Sequence, residues 1–197
     1  MKIKKFSELF ENADLFGSRQ KHEKIPLDGV KYSFHWLTEG NLFGQIYGHD
    51  IKNHDEFILR KNNGKKMIMP PLPPTKWCLG GDNSDYGLCM TVDPGYESAG
   101  ISGESKICIV FDLPKLLKDF KCKDLTDNGE AEIRFQKISD WYKYAIGLYS
   151  DKKTYEKGDG WEGFFYRGIH EWLPEELKKI VHVCPSTISI CKELKKL

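Results

Sequence analysis

The sequence predicts an α+β domain built as two small packed, mostly antiparallel sheets with flanking helices. Strand-like and helix-like runs follow one another without strict strand–helix–strand alternation, which favours α+β over a doubly wound parallel sheet. Lys106–Asp112 (KICIVFD) is rich in β-branched residues and leads directly into a proline-bearing helix start. The 197 residues suit a single domain, 1–197, and their 30 basic and 29 acidic side chains leave a net charge of only +1.

Taken in order, Phe6–Leu15 carries Phe6, Leu9, Phe10 and Leu15 at weakly helical spacing, and a polar connector, Gly17–Pro26, completes an N-terminal unit, 1–26. Val30–Phe34 alternates as a strand. Leu42–Tyr47 is a strand or a helix start, with Gly44 weakening both readings. The least regular stretch is 61–74, which ends in Pro70-Pro71-Leu72-Pro73-Pro74. Four prolines in five residues forbid an α-helix and favour an extended loop: a lid, a docking element or a rigid connector. Gly80-Gly81 is expected to turn. Tyr86–Val92 reads as a buried strand ended by an Asp93-Pro94-Gly95 turn. After the Lys106–Asp112 strand, Asp112 is the N-cap of a helix that opens Leu113-Pro114-Lys115. Ala131–Lys137 alternates as a half-buried strand. Ile138–Tyr149 spaces its apolar residues helically behind a Ser139 cap. Lys179–Val183 is the last strand, and Ser186–Leu197 is a closing helix that buries Ile188, Cys191 and Leu194.

The charge balance argues against long-range attraction to bulk nucleic acid or anionic lipid. No run reaches the roughly 18 apolar residues of a membrane-spanning helix, and the first residues lack a signal-like apolar stretch. The six cysteines contain no C-x-x-C pair; Cys89 and Cys108 sit in apolar runs as small hydrophobes, so a reducing cytoplasm is expected. Aromatics at 13% must fill either the core or a ligand cleft.

Phosphate-loop, nucleophile-elbow and zinc-protease signatures are absent from the sequence. His49, Asp50, His54 and Asp55 lack convincing ligand spacing, so no metal is expected. A Cys89–His35 nucleophile pair is disfavoured, because burial in an apolar strand raises a thiol's pKa. What remains is a constellation spread over three segments. Tyr32–Thr38 (YSFHWLT) places His35 among aromatics. Leu88–Pro94 (LCMTVDP) places Thr91 near a strand end, and Trp161–Arg167 (WEGFFYR) places Glu162 beside aromatics.

In this order the segments, together with ICIVFDLPKL (Ile107–Leu116) and LKKIVHV (Leu177–Val183), form an island-wise pattern over about residues 30–184. The pattern resembles small phage and bacterial ADP-ribosyltransferase-like proteins, including their DNA-modifying branch. It departs from them in that His35 follows Tyr32 by three positions, Val92 follows Thr91 where arginine is common, and Glu162 stands without a paired glutamate.

The resemblance implies transfer of ADP-ribose from NAD to a protein or nucleic-acid acceptor, or NAD hydrolysis in its absence. It assigns Glu162, His35 and Thr91 to catalysis, and Tyr32, His35, Trp36, Thr91 and Tyr166 to NAD binding. Cleavage at ribose C1′ passes through an oxocarbenium-like state, which a carboxylate stabilises without a metal. Two other classes stay open. One is a catalytically silent interaction protein, such as a phage inhibitor of a host enzyme or defence system; the other is a nucleotide-binding module. Membrane partners are not expected, and the sequence leaves the oligomeric state open.

Overall fold

The computed structural model describes residues 23–48, 60–62, 65–67, 70–80, 86–94, 106–127, 131–158 and 168–197. The helix expected over Phe6–Leu15, the His49–Asp55 stretch and the Trp161–Arg167 segment lie outside them.

In chain order the elements begin β1 (Tyr32–Leu37), α1 (Glu39–Tyr47), β2 (Arg60–Asn62), β3 (Lys65–Met67), β4 (Cys78–Leu79) and β5 (Leu88–Thr91). Next come β6 (Ile107–Asp112), α2 (Leu113–Asp119), β7 (Cys122–Leu125), β8 (Glu132–Phe135), β9 (Ile138–Ser139) and β10 (Ala145–Asp151). The chain closes with α3 (Lys152–Lys157), α4 (Ile169–Trp172), α5 (Glu175–Lys178), β11 (Val181–Cys184) and α6 (Thr187–Leu194). The class is α+β. Among the described residues one seven-stranded sheet dominates, in the order β11-β10-β6-β1-β5-β8-β7. Only its β10–β11 pair is parallel, and α3, α4 and α5 make the crossover that a parallel pair requires.

This corrects the expected division into two small packed sheets. The described residues outside the large sheet form only the two-stranded pairs β2–β3 and β4–β9. The reason lies in β6. Ile107 through Phe111 are all buried, so the sheet needs cover on both faces. On one face Ile107, Ile109, Phe111, Ile133, Phe135 and Leu148 pack with Leu42 and Ile46 of α1 and with Trp77 and Trp141. On the other, Phe34, Cys108, Val110 and Tyr149 pack with Cys184 of β11 and with Ile190 and Leu194 of α6. Trp77, Trp141, Phe111 and Phe135 are fully buried, so much of the aromatic content is core.

The caps follow local chemistry. Asp112 accepts from Lys115 N (3.1 Å) and starts α2 with Pro114 in its first turn. Ser186 caps α6 in the same way. Thr38 Oγ1 accepts from Asn41 N, which settles 39–47 as a helix despite Gly44. In α6 the buried stripe is Ile190, Cys191 and Leu194, whereas Ile188 is 65% exposed, a correction to the expected face.

The helix expected over Ile138–Tyr149 does not form. Asp140 adopts φ +52, a 3₁₀ turn spans Trp141–Lys143, and β10 follows. Pairing with β6 on one side and β11 on the other satisfies the β10 backbone between two neighbours, which outweighs the helical spacing. The described end of the proline stretch is a packed connector. Leu72 N donates to Ile46 O (2.9 Å), and Trp77 Nε1 donates to Leu72 O (2.8 Å). No helix among the described residues is long and apolar enough to cross a membrane.

Candidate functional site

The site follows from strand register. Residues opposite one another in an antiparallel pair point to the same face. Cys89 lies opposite Arg134 and Thr91 opposite Glu132 across β5–β8, so these four share a face. Phe34 lies opposite Thr91 across β1–β5, which puts Phe34 and, by alternation, Trp36 on that face too. His35 has the opposite parity but joins the same wall at the seam between the strands, where its ring bonds the Cys89 carbonyl. The resulting cavity is about 280 Å³, and His35, Trp36, Cys89, Thr91 and Glu132 line it.

A carbonyl oxygen only accepts, so the 2.9 Å contact from His35 Nδ1 to Cys89 O places the proton on Nδ1 and leaves Nε2 as an acceptor. Burial pulls the His35 pKa below its ordinary value, against the smaller upward pull of that hydrogen bond. The imidazole is therefore neutral at neutral pH.

Glu132 is the most deeply set charged group of the cavity, with 2% of its surface exposed. Arg134 Nε and Nη2 hold its two carboxylate oxygens at 2.9 and 3.2 Å, and the Cys89 thiol donates to Oε1 (2.6 Å). The guanidinium fork offsets the cost of burying this carboxylate.

Thr91 is 4% exposed, so its hydroxyl is held within the protein. Its Oγ1 accepts from Asp93 N (3.1 Å) and lies within 3.4 Å of Ala131 O, so it also ties the Asp93 turn to β8. Cys89, expected as a small core hydrophobe, is exposed at the cavity instead, while Cys108 is buried as expected. In LCMT the alternation turns Leu88 and Met90 inward and Cys89 out. Among the described residues, the indole Nε1 of Trp36 is buried and has no hydrogen-bond partner.

The structure thus brings His35, Trp36 and Thr91 of the expected site together. Tyr32 lines a neighbouring cavity of about 300 Å³, which shares Phe34 with the first and is flanked by Lys31 and Lys195. Glu162 and Tyr166 lie outside the described residues. Sequence reasoning missed Glu132 and Arg134, and it set Cys89 aside as an apolar strand residue. The available signal was Glu132 and Arg134 alternating on one face of a strand otherwise made of Ile133 and Phe135. Among the described residues no group of three or more His, Cys, Asp or Glu side chains is placed to hold a metal ion. In comparisons with known proteins no family model matches the chain, and neither a curated protein nor a solved structure gives a match.

Proposed function

We propose that this cavity takes the nicotinamide-ribose end of NAD, and that the protein transfers the ADP-ribose to a macromolecular acceptor or, in its absence, to water. What carries the reading is one arrangement: a neutral histidine, a threonine and a buried carboxylate, in chain order His35, Thr91, Glu132, line a single cavity. Each suits a part of the chemistry. His35 Nε2 accepts a ribose hydroxyl, and the Trp36 ring offers an apolar surface to the nicotinamide. Glu132 supplies negative charge to the oxocarbenium-like centre as the bond from C1′ to nicotinamide breaks. In this reading Glu132 takes the role the resemblance gave Glu162.

At about 280 Å³ the cavity stands near the lower end of ligand-site volumes, which run from about 300 to 1,000 Å³. On this reading it takes only the nicotinamide-ribose half of the dinucleotide. The neighbouring cavity past Phe34, with Tyr32, Lys31 and Lys195, offers aromatic surface and positive charge for the adenylate half.

The test is release of free nicotinamide from NAD by the purified protein. Glu132→Gln should lower turnover by about a hundredfold or more, as the loss of a main electrostatic stabiliser does, and Glu162→Gln should cost little. The reverse order returns the catalytic role to Glu162. No release from the wild type, together with no rise in melting temperature on adding NAD, overturns the enzyme reading in favour of an interaction protein.

A further inference from the structure

The Pro70-Pro71 end of the proline stretch borders a groove of about 430 Å³ that shares no lining residue with the two cavities described above. Tyr47, Trp172, Leu173 and Pro174 are buried and form its floor. Pro70, Pro71, Glu171 and Glu175 are exposed at its rim, and Glu176 is half-buried there.

The floor is fixed by packing within the protein. A helix brings residues four apart to one face, and Glu39, Phe43 and Tyr47 of α1 all meet Trp172. Trp172 Nε1 donates to Glu39 Oε1 (3.2 Å), and the Phe43 ring packs edge-on to the indole with centroids 5.3 Å apart. The Tyr47 hydroxyl donates to Trp172 O. The bond from Leu72 N to Ile46 O (2.9 Å) ties the proline stretch to the same helix, and the Tyr142 hydroxyl donates to Glu176 O (3.1 Å) in α5.

The lining determines what a ligand must bring. Its side-chain donors are the Tyr47 hydroxyl and the Trp172 indole, and both are used inside the protein. Pro70, Pro71 and Pro174 have no N–H. What the lining side chains present outward is apolar surface and three carboxylates, with no basic residue among them. Glu171 belongs to α4 and Glu175 and Glu176 to α5, so the negative charge converges from two elements. Glu175 pairs with Lys178 (2.7 Å), but exposed pairs of this kind are worth little, and an incoming cation can exchange for it.

We propose that this groove docks a basic peptide segment of a partner protein, one that sets an arginine or lysine beside an apolar side chain. The apolar side chain covers the Trp172-Leu173-Pro174 floor and leaves water. The cation supplies the donors that the groove lacks, and the fixed fork of a guanidinium matches the rim carboxylates best. Charge complementarity of this kind selects basic partners over acidic ones, and a preformed floor lowers the cost of ordering the site.

The test pans a displayed library of random short peptides against the intact protein and against a Glu175→Lys, Glu176→Lys double variant whose folding is checked by thermal melting. Peptides retained by the wild type are expected to be enriched several-fold in arginine or lysine next to an apolar residue. In fluorescence anisotropy a retained peptide should bind the double variant about tenfold more weakly, because repulsion replaces attraction. Glutamine in place of the peptide's own basic residue should weaken wild-type binding to a similar degree, and that arm needs no variant to fold. Retention of no peptide, retention of peptides without a basic residue, or equal affinity for the folded double variant overturns the proposal. So does a dimer of the protein that the double variant abolishes, since the occupant is then a second copy. Binding is read without NAD, so this inference and the enzyme reading can fail separately.

Discussion

His35 shows how one side chain couples the site to stability. Burial favours its neutral form in the folded state, whereas the unfolded chain takes up a proton as pH falls through the ordinary value of 6.5. The stabilisation is complete above that value and is lost as pH falls toward the lower folded-state pKa. Scanning fluorimetry should therefore show the melting temperature declining between about pH 7 and pH 5. In His35→Asn the side-chain amide can still donate to the Cys89 carbonyl but cannot titrate, so that decline should flatten. Thr91 gives a second case. Thr91→Val keeps the β-branched shape but removes the hydroxyl that accepts from Asp93 N and bonds toward Ala131 O. Denaturant unfolding should show a loss of about 1 kcal/mol, and Thr91→Ser should restore most of it. A loss no larger than experimental error would mean that the Asp93 turn holds without the hydroxyl.

The strands that frame the cavity depend on their ends as well as their faces. Gly80 closes β4 at φ +82, and a Cβ there would sit 2.6 Å from Gln136 O and 3.3 Å from Leu88 Cβ. Gly80→Ala combines a disfavoured backbone with a backbone clash, and should cost roughly 2 kcal/mol or more. Helix α6 makes the complementary point. It covers its face of the sheet through Ile190 and Leu194, both almost wholly buried. Leu194→Ala should cost about 2–5 kcal/mol. Hydrogen exchange should then speed up in α6 and β11 before it does in β6, whose other face packs into the larger core. Simultaneous loosening of both faces would show the two cores to be one cooperative unit.

Across the whole molecule, burial of tyrosine and cysteine sets an alkaline limit. Burial pushes Tyr47, whose hydroxyl donates to Trp172 O, up to about 12, and pushes Cys108 well above its ordinary value. For both groups the folded state favours the protonated form. Their stabilisation is full below the ordinary values of 10.0 and 9.0 and is lost as pH rises through the folded ones. The melting temperature should accordingly fall between about pH 9 and pH 11, and Tyr47→Phe should flatten part of that slope. A flat profile would show that neither group stays protonated at the cost of alkaline stability.

Local chemistry wrote several elements legibly. KICIVFD gave β6, Asp112 and Pro114 gave the start of α2, and Ser186 gave the cap of α6, because caps and β-branched runs act within a few residues of themselves. Ile138–Tyr149 was not legible, since its residues have helical spacing yet gain more from strand pairing with β6 and β11, partners remote in the sequence. The cavity was legible in part. His35, Trp36 and Thr91 stand out by residue type, but Glu132 looks like the solvent side of an alternating strand until register sets it opposite Thr91. Cys89 looks like core until the same register turns it toward Arg134. Sequence shows which residues have reactive groups. Which of them share a face depends on strand order and register, and those come from satisfying the backbone and covering both faces of one sheet.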